Sequence, residues 1–217
     1  MREHAVTDAL TVSFQRYPYP PSGWVETLPR SRGALPLAVA APGRLLLPCP
    51  AGEAFWIGLV ATARGRSSVV AVAARLASGE RVDLATGAAP GPDRHRGGLA
   101  VPPRFAVAGI ARQPGGWWAM ALEAPAPSAP ACAGLELLVW TGPPAAIAPR
   151  DRGPRPQHDP GGAGDRPPPS PGAGPPAGPP VLLQVELVDP AGFEAAGGRR
   201  LPEPAGDEAT YRGRRLP

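Results

Sequence analysis

The sequence predicts an all-β protein, and three observations carry that prediction. Apolar and polar residues alternate over many short runs, glycine or proline stands between the runs, and no segment has the composition of a long helix. With 34 Pro and 28 Gly in 217 residues, helix interiors would be broken repeatedly, because proline removes a backbone donor and its ring clashes with the preceding turn. Parallel strands need crossover helices that this chain does not offer. The expected architecture is therefore a single antiparallel β-sandwich, of jelly-roll or immunoglobulin-like type, over residues 5–148, with about nine or ten short strands.

The first clear strand is ALTVSFQR (9–16), where Leu10, Val12 and Phe14 fall on one face and Thr11, Ser13 and Gln15 on the other. YPYPPSGW (17–24) follows, with prolines at 18, 20 and 21 presetting φ and extending the chain. In EAFWIGLVA (53–61), Phe55, Ile57 and Leu59 share one face while Trp56 and Val60 share the other, so both faces are expected to be covered. SSVVAVAARL (67–76) admits a helix opened by a serine cap, but the β-branched Val69, Val70 and Val72 favour a strand. Ser78-Gly79 then closes a hairpin onto Val82 and Leu84, glycine supplying the positive φ of a tight turn. A second hairpin is expected from RFAVAGIAR (104–112), through Gly115-Gly116, into WWAMALE (117–123). GLELLVWT (134–141) closes the series, with Leu135, Leu137 and Val139 on one side.

Composition then changes. Residues 149–180 hold 12 Pro and 7 Gly and no apolar side chain larger than alanine. Such a segment cannot pack a core, so a disordered or polyproline-like connector is expected. VLLQVELV (181–188) reads as a strand buried on both faces that returns to the edge of its own sandwich, pairing with another chain being the alternative. The remainder, 189–217, reads as an extended tail carrying GRRLP twice, which places Arg199, Arg200, Arg214 and Arg215 as candidate docking residues.

The chemistry-bearing residues are sparse. The chain has no Lys and no Asn, the mark of GC-rich bacterial coding, and its 22 basic residues are all Arg. The net charge of +4 arises in residues 1–148, where 13 Arg face 9 acids. These charges are scattered, which argues against a nucleic-acid surface, since that requires gathered cations. No segment reaches the roughly 20 apolar residues of a membrane-spanning helix, and the N-terminal residues lack the unbroken apolar run of a secretory leader; a cytoplasmic setting is expected. Cys49 and Cys132, without histidines nearby, make no zinc site and are expected as free thiols. No metal and no cofactor are expected.

Nucleophile elbows, phosphate loops and dinucleotide fingerprints are all missing. The one catalytic candidate is the loop holding Asp93 and His95 between Arg94 and Arg96, a spacing specific to no reaction. Attention falls instead on Tyr17, Tyr19, Trp24, Trp117 and Trp118, either a stacking platform or rings that close the end of the sandwich. The expectation is a non-catalytic accessory or structural subunit that docks on a larger bacterial protein assembly through its aromatic loops and tail. A carbohydrate-binding module with an aromatic platform is the alternative, and an enzyme using the Asp93/His95 loop is the third reading.

Overall fold

The computed structural model describes residues 1–62, 66–91, 98–102, 104–126, 128–142 and 178–201. Within them the protein is all-β and rich in antiparallel sheet, with one short helix. The expected catalytic loop, the expected connector up to residue 177, and Arg214 and Arg215 lie outside the described residues.

The smaller of the two main sheets has the order β1 (Glu3–Ala5), β2 (Leu10–Pro18), β6 (Glu53–Ala61), β10 (Ala106–Val107). Its centre is the long antiparallel pair β2–β6, with Phe14 opposite Ile57 and Val12 opposite Leu59 on the inner face. All four of those side chains are buried, and Phe14 meets Phe55 edge to face at 5.9 Å.

The larger sheet runs β4 (Ala38–Ala41), β5 (Arg44–Pro48), β14 (Val181–Val188), β13 (Cys132–Gly142), β7 (Ser67–Leu76), β8 (Arg81–Asp83), with β9 (Leu99–Val101) also on β7. A third, small sheet joins β11 (Ile110–Ala111), β12 (Trp117–Trp118) and β3 (Trp24–Val25). Buried side chains of both main sheets belong to one apolar cluster, from Leu10 and Ile57 on one to Val72, Leu137 and Leu183 on the other.

The β7–β8 turn has the predicted form: Gly79 sits at φ 88° and its N–H donates to the Leu76 carbonyl. The second expected hairpin is present but shorter, pairing Ile110 with Trp118 while the Arg112 N–H donates to Gly116 O.

Two expectations change. The 181–188 strand is not an edge strand but lies between β13, antiparallel, and β5, parallel, so the larger sheet is mixed. It is also buried on one face only: Leu183, Val185 and Leu187 point into the core while Leu182, Gln184 and Glu186 are exposed. A central strand in a sheet with one solvated face needs just this alternation. The second change is in the tail, whose first residues form a helix, α1 (Pro190–Ala195). Asp189 caps it by accepting from the Gly192 N–H at 2.6 Å, and Pro190 supplies a preset φ at the first turn. Phe193 is buried, and a Cβ on Gly198 would collide with its ring, so glycine is what lets the chain close over that side chain.

Candidate functional site

On the outer face of the smaller sheet the register sets Thr11 beside Val60, Ser13 beside Gly58, Gln15 beside Trp56 and Tyr17 beside Ala54. The bulky outer face of β6 is interrupted at Gly58, where a Cβ would lie 2.6 Å from Ser13 Oγ. Gly58 is thus a point of close approach to Ser13, and a trough lies over this part of the face. One compartment, about 490 Å³, has Ser13, Gln15, Trp56 and Gly58 beneath it and is flanked by Leu28, Val60 and Phe105. A second, about 430 Å³, is bounded by Tyr17, Tyr19 and the prolines at 18, 20 and 21. Pro29, Arg30 and Ser31 border both compartments, so the two adjoin along the strip 28–31.

The floor carries a short polar relay. Ser31 Oγ donates to Gln15 Oε1 at 2.8 Å, and Gln15 Nε2 donates to Ser13 Oγ at 3.0 Å. Ser31 Oγ in turn accepts from the Gly33 N–H at 2.9 Å, which fixes the strip against β2. Two buried polar atoms beside this relay, Trp56 Nε1 and Tyr17 Oη, have no hydrogen-bond partner among the described residues. Burial, and then the neighbouring Tyr19, raise the Tyr17 phenol above its ordinary 10.0, so it is a neutral O–H. Around the rim the surface is apolar: Phe105 is 68% exposed, Val60 44% and Leu28 36%. Large apolar side chains gathered at one place on a surface mark an interface, whereas single ones do not.

The five aromatics singled out in the sequence are not gathered into one platform. Tyr17 is buried beside the trough and Tyr19 borders it. Trp24 and Trp118 are directly opposed in the small sheet, and the Arg112 guanidinium lies over both rings, 4.5 Å and 5.2 Å from their centroids. That cation fills the space over one face of each indole. Trp117 pairs with Val25 and so projects to the opposite side of β12. In the tail, Arg199 and Arg200 are exposed, while the following Leu201 packs against the core cluster.

Cys49 and Cys132 are free and buried. Burial raises the first thiol to about 11 and the second to about 12, so both are protonated and inert at neutral pH. Among the described residues no group of three or more His, Cys, Asp or Glu side chains is placed to hold a metal ion, and no helix is long and apolar enough to cross a membrane.

Sequence reasoning missed Trp56, Gly58, Leu28 and Phe105. One signal was available: a glycine between Trp56 and Val60 on the same face of a strand, where a missing side chain marks a close approach or a hollow. Comparison of the chain with protein-family models, curated proteins and solved structures finds no match.

Proposed function

We propose that this chain is a non-catalytic accessory domain that docks on a larger protein assembly, with its two main sheets closed as a β-sandwich of jelly-roll or immunoglobulin-like type. The supporting observation is the meeting of Leu28, Val60 and Phe105, all exposed, around one trough on the outside of the smaller sheet. The sandwich draws support from the single apolar cluster to which both sheets contribute. Two free buried thiols suit a reducing, cytoplasmic compartment.

The exposed Arg199 and Arg200 add a polar contact to the docking reading. A carbohydrate platform draws less support, because Arg112 already covers Trp24 and Trp118. Native size decides between docking and solitary function. The chain should migrate in a high-mass complex when purified gently from its source, and Phe105→Ser with Val60→Ser should release it as a folded monomer. A wild-type chain that runs alone, and that binds glycans in a Trp117-dependent manner, would replace this reading.

A further inference from the structure

We propose, resting on the docking reading above, that a hollow over Gly134 on the outer face of the larger sheet receives one carboxylate, carried by an Asp or Glu side chain of the partner protein. The strand register builds this hollow. Glu186, Gly134, Arg75 and Arg81 stand side by side across β14, β13, β7 and β8, and Gln184 beside Glu136 belongs to a neighbouring row. Gly134 adds no side chain to its row, and none would fit, because a Cβ there would lie 2.8 Å from the Val185 carbonyl oxygen. A shift of register between Cys132 and Gly134 falls at the same point, and such breaks re-aim neighbouring side chains. The Arg75 guanidinium leans over the glycine, with Nη2 3.3 Å and Nε 3.8 Å from the place of the missing Cβ. What is left is a space of about 150 Å³ bordered by Arg44, Arg75, Glu136, Gln184 and Glu186.

Charge selects the ligand. Arg44 holds Glu186 at 3.5 Å and Arg81 holds Glu136. The Arg75 guanidinium has no ion pair or hydrogen bond among the described residues, and Arg75 stands directly opposite Arg81, an arrangement in which like charges repel. Three guanidinium groups and two carboxylates leave one positive charge, at Arg75. A monoanion completes the balance, whereas the two glutamates oppose a dianion such as phosphate. A carboxylate also matches the planar fork of a guanidinium, accepting from two N–H groups at once. Magnitude then selects the source. An exposed ion pair raises affinity by at most about fivefold, too little to retain a free small acid, so the carboxylate has to arrive on a partner held by further contacts. The hollow reaches the edge strand β4 at Ala40, next to Val39, which is 57% exposed and offers apolar area for such contacts.

The test uses the full chain with sodium acetate as the probe, read by the arginine Nε–H signals in NMR and compared with sodium chloride at equal ionic strength. The Arg75 signal should move at least about twofold further than those of Arg44 and Arg81, whose acceptors are already in place. Phosphate held as the dianion should move it less than acetate does. Glu186→Gln removes one repelling charge and should reverse that order. Arg75→Gln alters a residue already in solvent, so it should keep the wild-type circular dichroism spectrum. In the native complex, Arg75→Glu should lower the share of the chain in the high-mass fraction at least about twofold, and added salt should lower the wild-type share. Arg75→Lys, which keeps the charge and loses the fork, should fall between the two.

An Arg75 signal that moves no further than its neighbours, a wild-type preference for phosphate, or a native complex indifferent to Arg75→Glu would overturn the proposal. Should Phe105→Ser with Val60→Ser release the chain from its native complex while Arg75→Glu does not, the docking reading stands and the carboxylate contact falls. A monomeric native chain whose Arg75 still prefers acetate would remove the docking reading, and the partner's side chain with it, and leave the carboxylate preference of the hollow standing.

Discussion

The outer faces of the two main sheets present the same backbone geometry to solvent and differ in where charge sits, although the larger one also exposes Leu182 towards one end of β14. On the larger sheet, Arg44 pairs with Glu186 at 3.5 Å and Arg81 with Glu136, beside Arg75 and Gln184 around a hollow of about 150 Å³. On the smaller sheet, the corresponding surface is the trough over Trp56 and Gly58, rimmed by exposed Leu28, Val60 and Phe105. Cross-strand ion pairs keep their part of the larger face hydrated and resistant to association, at little gain in stability. The other face keeps apolar area in water, which a chain tolerates at a cost and which a partner would remove. Function should therefore be sought where an outer face departs from paired charge, not where ion pairs are densest.

One core beneath both faces underlies this contrast, and the largest effect tests it. Phe55→Ala should cost about 3–5 kcal/mol, since the ring is wholly buried and contacts Phe14. Urea unfolding followed by tryptophan fluorescence and by far-UV circular dichroism should show one coincident transition. Two separate transitions would mean that each face belongs to its own folding unit.

Alkaline pH probes the same interior. The thiols of Cys49 and Cys132 are held at about 11 and about 12, against an ordinary 9.0. The folded chain therefore keeps protons that the unfolded chain releases. This stabilisation is complete below about pH 9 and is lost as pH rises from there towards 12. Tyr17, beside the trough and raised above its ordinary 10.0, adds to the loss at the upper end. The urea midpoint should fall between about pH 8.5 and about pH 10.5, and Cys49→Ala with Cys132→Ala should flatten the lower part of that fall. A midpoint that holds steady in this window would show the thiols to be hydrated.

Smaller effects sharpen the contrast between the faces. Phe105→Ser should change stability by no more than about 0.5 kcal/mol, while reducing retention on a hydrophobic column. Smallest of all, Glu186→Gln on the charged face should cost about 0–1 kcal/mol, decreasing with added salt, because both partners of that ion pair are about half exposed. A loss of several kcal/mol there would mean that the charged face is structural after all.

Much of the strand content was legible. Leu10, Val12 and Phe14 do point inward from β2, and Trp56 is covered although it lies on the opposite face from Ile57. The β7–β8 turn was readable because Gly79 alone sets its geometry. The candidate site was read less well. Attention went to Trp24, Trp117 and Trp118, where aromatics are dense in sequence, yet Arg112 stacks over two of those rings. The trough is built from Leu28, Trp56 and Phe105, residues about 28 and 49 positions apart that no local pattern connects.

By itself, the sequence determined which residues share a strand face and where the chain turns, because the two-residue pleat period and the positive φ of a glycine are properties of a few neighbouring residues. Only the tertiary structure decided which strands are neighbours. It set β14 between β5 and β13, in a parallel pair on one side, and brought the 28–31 strip and Phe105 to opposite rims of one hollow. Pairing and cross-sheet packing join residues far apart in the chain, and an alternating strand satisfies an edge or a central position equally well until its partners close around it.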